Sequence, residues 1–318
     1  MGPSRRLSRA TTLVTCLMLC TCDRPETRTA ADARPGVATA VDSIAPVADS
    51  TAGGWEVAVG DVLVLPGDDG PLNGALLRVS ANDQTLADTT GLGVALGDAR
   101  LDLFARHGSV GTARVRVQGP PRVDVGCTAW PVARLSTEAG AAVRPWTVAF
   151  LAGRIDPIAL DSIEALTPRD SATLAAQIAR VASRLPDDTN PTFRARPYVV
   201  QRAWIGRTTD APLAVALLIR RVNQEDAPRE ERLVLVLDRS GDAPSDAWRV
   251  GWHERASGTE EELVVAEPLL AYRVRGGGGG DPHLFFGRDD GYALSATVLV
   301  RRDGRWQVLW ESAIAGCS

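Results

Sequence analysis

From residue 55 onward, apolar and polar positions alternate in short runs, a pattern that predicts strands and turns with few helices. Such runs cover residues 56–65, 74–80, 100–105 and 110–118, and Gly67-Asp68-Asp69-Gly70 and His107-Gly108 between them suit tight hairpin turns. In Ala113-Arg114-Val115-Arg116-Val117 the alternation is strict, so this strand should bury one face and wet the other. A small all-β module over residues 55–140 follows.

The next region, 141–318, opens with an apolar strand at 146–152 and then changes period. Thr167-Pro168-Arg169-Asp170 offers an N-cap, a proline at the first helical position and an acid in the first turn. Leu174, Ile178, Val181 and Leu185 then recur on one stripe, which predicts a helix lying on a sheet and ended by Pro186. Beyond it the chain repeats itself. Arg196-Pro197-Tyr198-Val199-Val200-Gln201-Arg202 matches Glu267-Pro268-Leu269-Leu270-Ala271-Tyr272-Arg273, an offset of 71 from position 197 to 268. Trp248-Arg249-Val250-Gly251-Trp252 matches Trp306-Gln307-Val308-Leu309-Trp310, an offset of 58 from 248 to 306.

Each copy reads as four antiparallel strands: 198–205, 213–222, 232–239 and 248–254, then 263–274, 283–287, 292–301 and 305–312. A period of two puts Trp248, Val250 and Trp252 on one face, and Trp306, Val308 and Trp310 likewise, as core. Residues 213–219 and 233–237 are apolar on both faces, so these strands are central. One side should meet the helix, and the other either the sheet's own curl or the N-terminal module. The expected fold is mainly β (α+β): a small β module, then one helix packed on a curved antiparallel sheet built from two four-stranded repeats.

At the N-terminus Arg5, Arg6 and Arg9 precede an apolar run at 10–19 that ends in Cys20-Thr21-Cys22. This order predicts an export signal, and an apolar stretch of about ten residues is too short to span a bilayer of roughly 30 Å. Residues 1–22 resemble the signal of bacterial lipoproteins, with Leu19 three positions before Cys22 and Thr21 where that pattern has glycine, alanine or serine. The resemblance implies lipidation at Cys22, a membrane partner through that anchor, and a place in the cell envelope facing the periplasm or the exterior. The other reading is a plain secretory signal cut just after Cys22. Residues 23–54 are rich in Ala, Thr, Asp and Pro and read as a disordered tether.

Of the five cysteines, processing before Cys22 removes Cys16 and Cys20 and lipidation consumes Cys22. Cys127 and Cys317 are left, an even pair that reads as a disulfide in an oxidising compartment, with two buried free thiols as the alternative.

Composition narrows the chemistry. All 35 basic residues are arginine, so a P-loop lysine, a Schiff base and a Ser-x-x-Lys site are all ruled out. A net charge of −4, with the arginines scattered among acids along the chain, argues against nucleic acid as a partner. His107, His253 and His283 stand singly, and Arg288-Asp289-Asp290-Gly291 lacks the alternating acids of a calcium loop, so no metal site is expected. Gly91-Leu92-Gly93 leads to Gly97 at the wrong spacing for a dinucleotide fingerprint, and the 276–280 glycine run precedes no helix. No cofactor follows. The acids at Glu225, Asp226, Glu230 and Glu231, and those at Glu260, Glu261 and Glu262, read as solvated loops. The expectation is a non-enzymatic binding or structural protein of the envelope. Its alternatives are a carrier enclosing a small apolar ligand and a hydrolase using carboxylates.

Overall fold

The computed structural model describes residues 62–67, 70–78, 98–119, 127–137, 144–186, 191–208, 212–222, 228–239, 248–259, 262–275, 280–289, 291–312 and 314–317. The signal with Cys22, the tether, residues 91–97, Glu225, Asp226, Glu260, Glu261 and residues 276–279 lie outside that set.

The alternating N-terminal runs form β1 (Val62–Gly67), β2 (Gly70–Arg78), β3 (Arg100–Ala105), β4 (Gly108–Gly119), β5 (Cys127–Thr128), β6 (Val132–Ser136) and β7 (Val148–Leu151). All but β5 close a barrel in the order β1-β2-β6-β4-β3-β7. Leu76, Leu101, Leu103, Ala113, Val115, Ala133, Leu135 and Trp146 fill its interior, and the period-two geometry turns Arg114 and Arg116 to solvent. The apolar strand at 146–152 belongs here, as β7, rather than opening the second module. It pairs with β3 from Leu101↔Leu151 to Phe104↔Val148 and with β1 at Val64↔Ala149. Its Ala149 faces the barrel interior, while Val148 and Phe150 join the next core outward.

The chain then runs through β8 (Ile155–Ile158) and β9 (Leu160–Ser162), consecutive strands that enter two different sheets. The one α-helix among the described residues, α1 (Pro168–Ala182), starts where its cap predicts: Thr167 Oγ1 accepts from the Asp170 N–H, and Leu174, Ile178 and Ala182 are buried. It ends at Ala182 with Ser183 as C-cap, before Pro186, so Val181 and Leu185 only flank the core.

The repeats form two meanders. The first is β10 (Val199–Arg207), β11 (Pro212–Val222), β12 (Arg229–Arg239) and β13 (Trp248–Thr259). The second is β14 (Val265–Val274), β15 (Pro282–Asp289), β16 (Ala293–Arg302) and β17 (Arg305–Glu311), after which β18 (Ala315–Cys317) pairs with β16 and β5. They occupy separate sheets, β13-β12-β11-β10-β9 and β5-β18-β16-β15-β14-β8, with β17 also on β16.

Register shows what is equivalent in them. Both fourth strands carry a bulge at the fourth residue of Trp-x-Val-x-Trp, Gly251 in one and Leu309 in the other. Directly paired residues then run Trp252, Val236, Val215, Trp204 across the first sheet. The matching row in the second is Trp310, Val298, Phe285, Leu270. Trp204 thus corresponds to Leu270, an offset of 66 and not the 71 of the proline match. Pro197 precedes its strand, whereas Pro268 sits within β14, beside its bulge.

The bulge also overturns the expectation that both tryptophans of a pair share a face. An extra residue reverses the alternation. Trp248 packs under α1 with Leu235 and Leu237, and Trp252 packs on the opposite side, against the second sheet. Trp306 faces the first sheet, and Trp310 faces the barrel.

Helix, five-stranded sheet, seven-stranded sheet and barrel therefore stack as four layers. The core between the sheets holds Trp204, Val215, Val236, Leu284, Phe286 and Leu299; the next holds Phe150, Leu270, Tyr272, Phe285 and Val298 against the barrel wall. Both sheets are covered twice, which is why their central strands are apolar on both faces. The cover opposite α1 is the second meander, neither the sheet's own curl nor the N-terminal module.

Candidate functional site

The cysteine pair is set by backbone register. β18 returns antiparallel beside β5 with Gly316↔Thr128 and Cys317↔Cys127 as direct partners. Thr128 Oγ1 donates to the Ile314 carbonyl at 3.0 Å, tying the short strands further. β5 lies between two barrel strands in sequence yet pairs into the seven-stranded sheet, so this is where the C-terminus meets the N-terminal module.

A buried polar cluster lies on the helix side of the five-stranded sheet. Arg220 and Glu231 are direct cross-strand partners, and the guanidinium makes a two-pronged contact, Nε–Oε1 2.7 Å and Nη2–Oε2 3.0 Å. Glu231 is 0% and Arg220 3% exposed. The Tyr198 hydroxyl donates to Glu231 Oε1, and Arg255 Nε stands 3.5 Å from the same oxygen. The Arg220 guanidinium also lies 4.8 Å from the Tyr198 ring centre and 5.6 Å from that of Phe193. Burial, and then the neighbouring Glu231 carboxylate, push the Tyr198 hydroxyl well above its ordinary pKa, so it stays a donor.

One step along, on the other face, Arg221 pairs with Glu230, and Arg232 Nε lies 3.4 Å from that carboxylate. Glu230 and Glu231 are therefore buried strand residues, not a solvated loop. Symmetry about the turn carries this pairing in the sequence: Arg220-Arg221 and Glu230-Glu231 are equidistant from its centre, so an in-register hairpin brings them together. Glu262, by contrast, is exposed and accepts from the Thr259 N–H.

Further polar links cross between layers. Asp238 of β12 accepts from Trp306 Nε1 at 3.1 Å, with Arg301 Nε 3.5 Å away; burial nonetheless raises its carboxyl above the ordinary value. Arg288 of β15 makes a two-pronged contact with Glu254 of β13, Nη1–Oε1 being 2.6 Å. Arg106, at the β3–β4 turn, donates to the Pro268 carbonyl and to Glu267 at 2.8 and 2.6 Å while lying over the Trp204 ring at 4.8 Å. That single side chain joins barrel and both sheets.

The histidines remain apart. His107 is exposed near Asp161, and His283 stacks on Tyr272 with Nδ1 3.0 Å from the Asp281 carbonyl. Burial and the adjacent Arg255 hold the His253 imidazole below its ordinary pKa. Among the described residues no three His, Cys, Asp or Glu side chains converge as metal ligands, and no helix is long and apolar enough to cross a membrane. No family model, curated protein or solved structure matches the chain. What these buried polar groups do chemically is cross-link strands and layers, the carboxylates of Glu230, Glu231, Asp238, Glu254 and Glu267 being held by arginine or indole donors.

Proposed function

We propose that this chain is an exported, lipid-anchored component of the cell envelope with a non-enzymatic binding or structural role, attached through Cys22. The observation that carries the reading is the partnership of Cys127 with Cys317, the two thiols left downstream of the anchor. Directly opposed residues of antiparallel strands have Cα atoms about 4.5 to 5.5 Å apart, inside the range of a disulfide. Bonding positions 127 and 317 closes most of the folded chain into one loop, a constraint of about 5 kcal/mol on the unfolded state that an oxidising compartment would maintain.

Two observations favour this role over its rivals. The inter-sheet space where a carrier would hold an apolar ligand is filled by Trp204, Phe286, Leu299 and Trp306. The buried acids that a hydrolase would use, Glu230 and Glu231, are held by arginines inside the sheet. Partners on this reading are the membrane and another envelope protein.

Two measurements test it. Cys22→Ser should move the protein from the membrane fraction to the soluble fraction. Intact mass of the unfolded, unreduced protein should show no alkylation at Cys127 or Cys317. A variant that still sediments with membranes removes the anchor; two free thiols remove the bond and the compartment inferred from it.

A further inference from the structure

The barrel brings together arginines that the sequence shows only as scattered. Arg100 of β3 is the direct cross-strand partner of Arg114 of β4, and Arg116 of β4 is that of Arg134 of β6. Because Leu101, Ala113, Val115, Ala133 and Leu135 point into the barrel, all four arginines project outward from three adjacent strands, and all four are exposed. Among the described residues the acids facing them are few. Asp98 lies 3.7 Å from Arg114 and 3.3 Å from Arg116, and Asp102 is engaged by the Gly153 N–H at 2.8 Å. Among the described residues Arg100 and Arg134 make no ion pair. Asn73, paired with Arg134, Thr112 and Ser136 complete the wall without adding charge.

Like charges directly opposite one another destabilise a sheet, and a strand pair chosen for stability alone would alternate their sign. Two such pairs side by side imply an anion that offsets them. The wall is a convex strand surface, which suits a broad charged layer better than one enclosed small anion, and guanidinium matches phosphate oxygens two at a time. On the lipid-anchored reading the barrel is also the first described module downstream of Cys22 in chain order. We propose that this wall, β3-β4-β6, docks on the anionic phospholipid headgroups of the membrane that carries the protein. This rests on the lipid-anchored reading for which membrane it meets, but the binding itself does not use the anchor.

The test uses the full-length Cys22→Ser chain with phosphatidylcholine vesicles, with and without phosphatidylglycerol. Sedimentation should show binding to the anionic vesicles that weakens with salt, and little binding to the neutral ones. Arg116→Gln and Arg134→Gln should each lower partitioning about fivefold. The melting temperature should stay level or rise, because the like-charge contact is relieved, and Arg169→Gln on α1 should bind as the parent does. Equal binding to neutral and anionic vesicles, or unchanged binding by the arginine variants, overturns the proposal. So does binding to a soluble polyanion such as heparin with none to vesicles. Failure of Cys22 lipidation would appear in the fractionation experiment alone and would leave the vesicle result standing.

Discussion

The two meanders are the same device in different surroundings. Both run four antiparallel strands and end in a bulged Trp-x-Val-x-Trp strand, and in both the first Trp faces the preceding layer while the second faces the following one. For the first meander those layers are helix and sheet; for the second they are sheet and barrel. The units thus stack in one direction rather than about a two-fold axis, and α1 occupies, relative to the first, the place the first occupies relative to the second. What differs is polar content. Beneath α1, Trp248 meets mainly apolar side chains, whereas Trp306 enters between two sheets, reaches Asp238 with its N–H and lies against the Gly251 backbone. The first meander also carries the Arg220–Glu231 and Arg221–Glu230 pairs beside its β11–β12 turn, beyond the register of Asp289↔Leu294, the last described pair of β15 and β16. A shared backbone pattern therefore sets which face each tryptophan takes, and the local partner sets how it is held.

The sharpest way to break this equivalence is to remove the first Trp of each strand. Trp248 and Trp306 are 7% and 5% exposed, and truncation to Ala should cost each about 3 to 5 kcal/mol in denaturant unfolding, with Trp306→Ala the larger because Asp238 loses its donor. Two variants that unfold like the parent would end the claim that these are matching core positions. The polar difference is tested next. Glu231→Leu strands a buried guanidinium and should cost about 3 kcal/mol or more, while Arg220→Met combined with Glu231→Leu should recover much of that loss. If the double variant is no better than the single, the pair is not the coupled unit described. The smallest effect concerns the bulges: a Cβ on Gly251 would collide with the Trp306 ring and come within 2.8 Å of Asp238 Oδ2, so Gly251→Ala should cost about 1 to 3 kcal/mol. Leu309→Ala, at the matching position on the barrel side, should unfold as an ordinary partial core truncation, without the clash. A tolerated Gly251→Ala would show that the two bulges do not differ in packing.

Much of this was legible. The strict alternation of residues 113–117, the Thr167-Pro168 helix start and the repeated Trp-x-Val-x-Trp are local signals, and each appears where its period and turn chemistry placed it. The misplaced features were those that depend on one extra residue or on a remote partner. A bulge leaves no mark in a pattern of period two, so the sequence puts Trp248 and Trp252 on one face where the structure puts them on two. Glu230 and Glu231 resembled solvent-facing acids because charge alone does not reveal an arginine waiting across a hairpin.

The sequence by itself determined the mainly β class, the capped helix α1, the repeated meander and the pairing candidates Cys127 and Cys317, because propensity, period and residue count act over a few neighbours. Tertiary structure alone decided that the two meanders form separate stacked sheets, that Val148–Leu151 closes the barrel and that four separated arginines share one wall. Those outcomes depend on which apolar faces bury one another and on register between strands far apart in the chain, and neither is carried by any short stretch of residues.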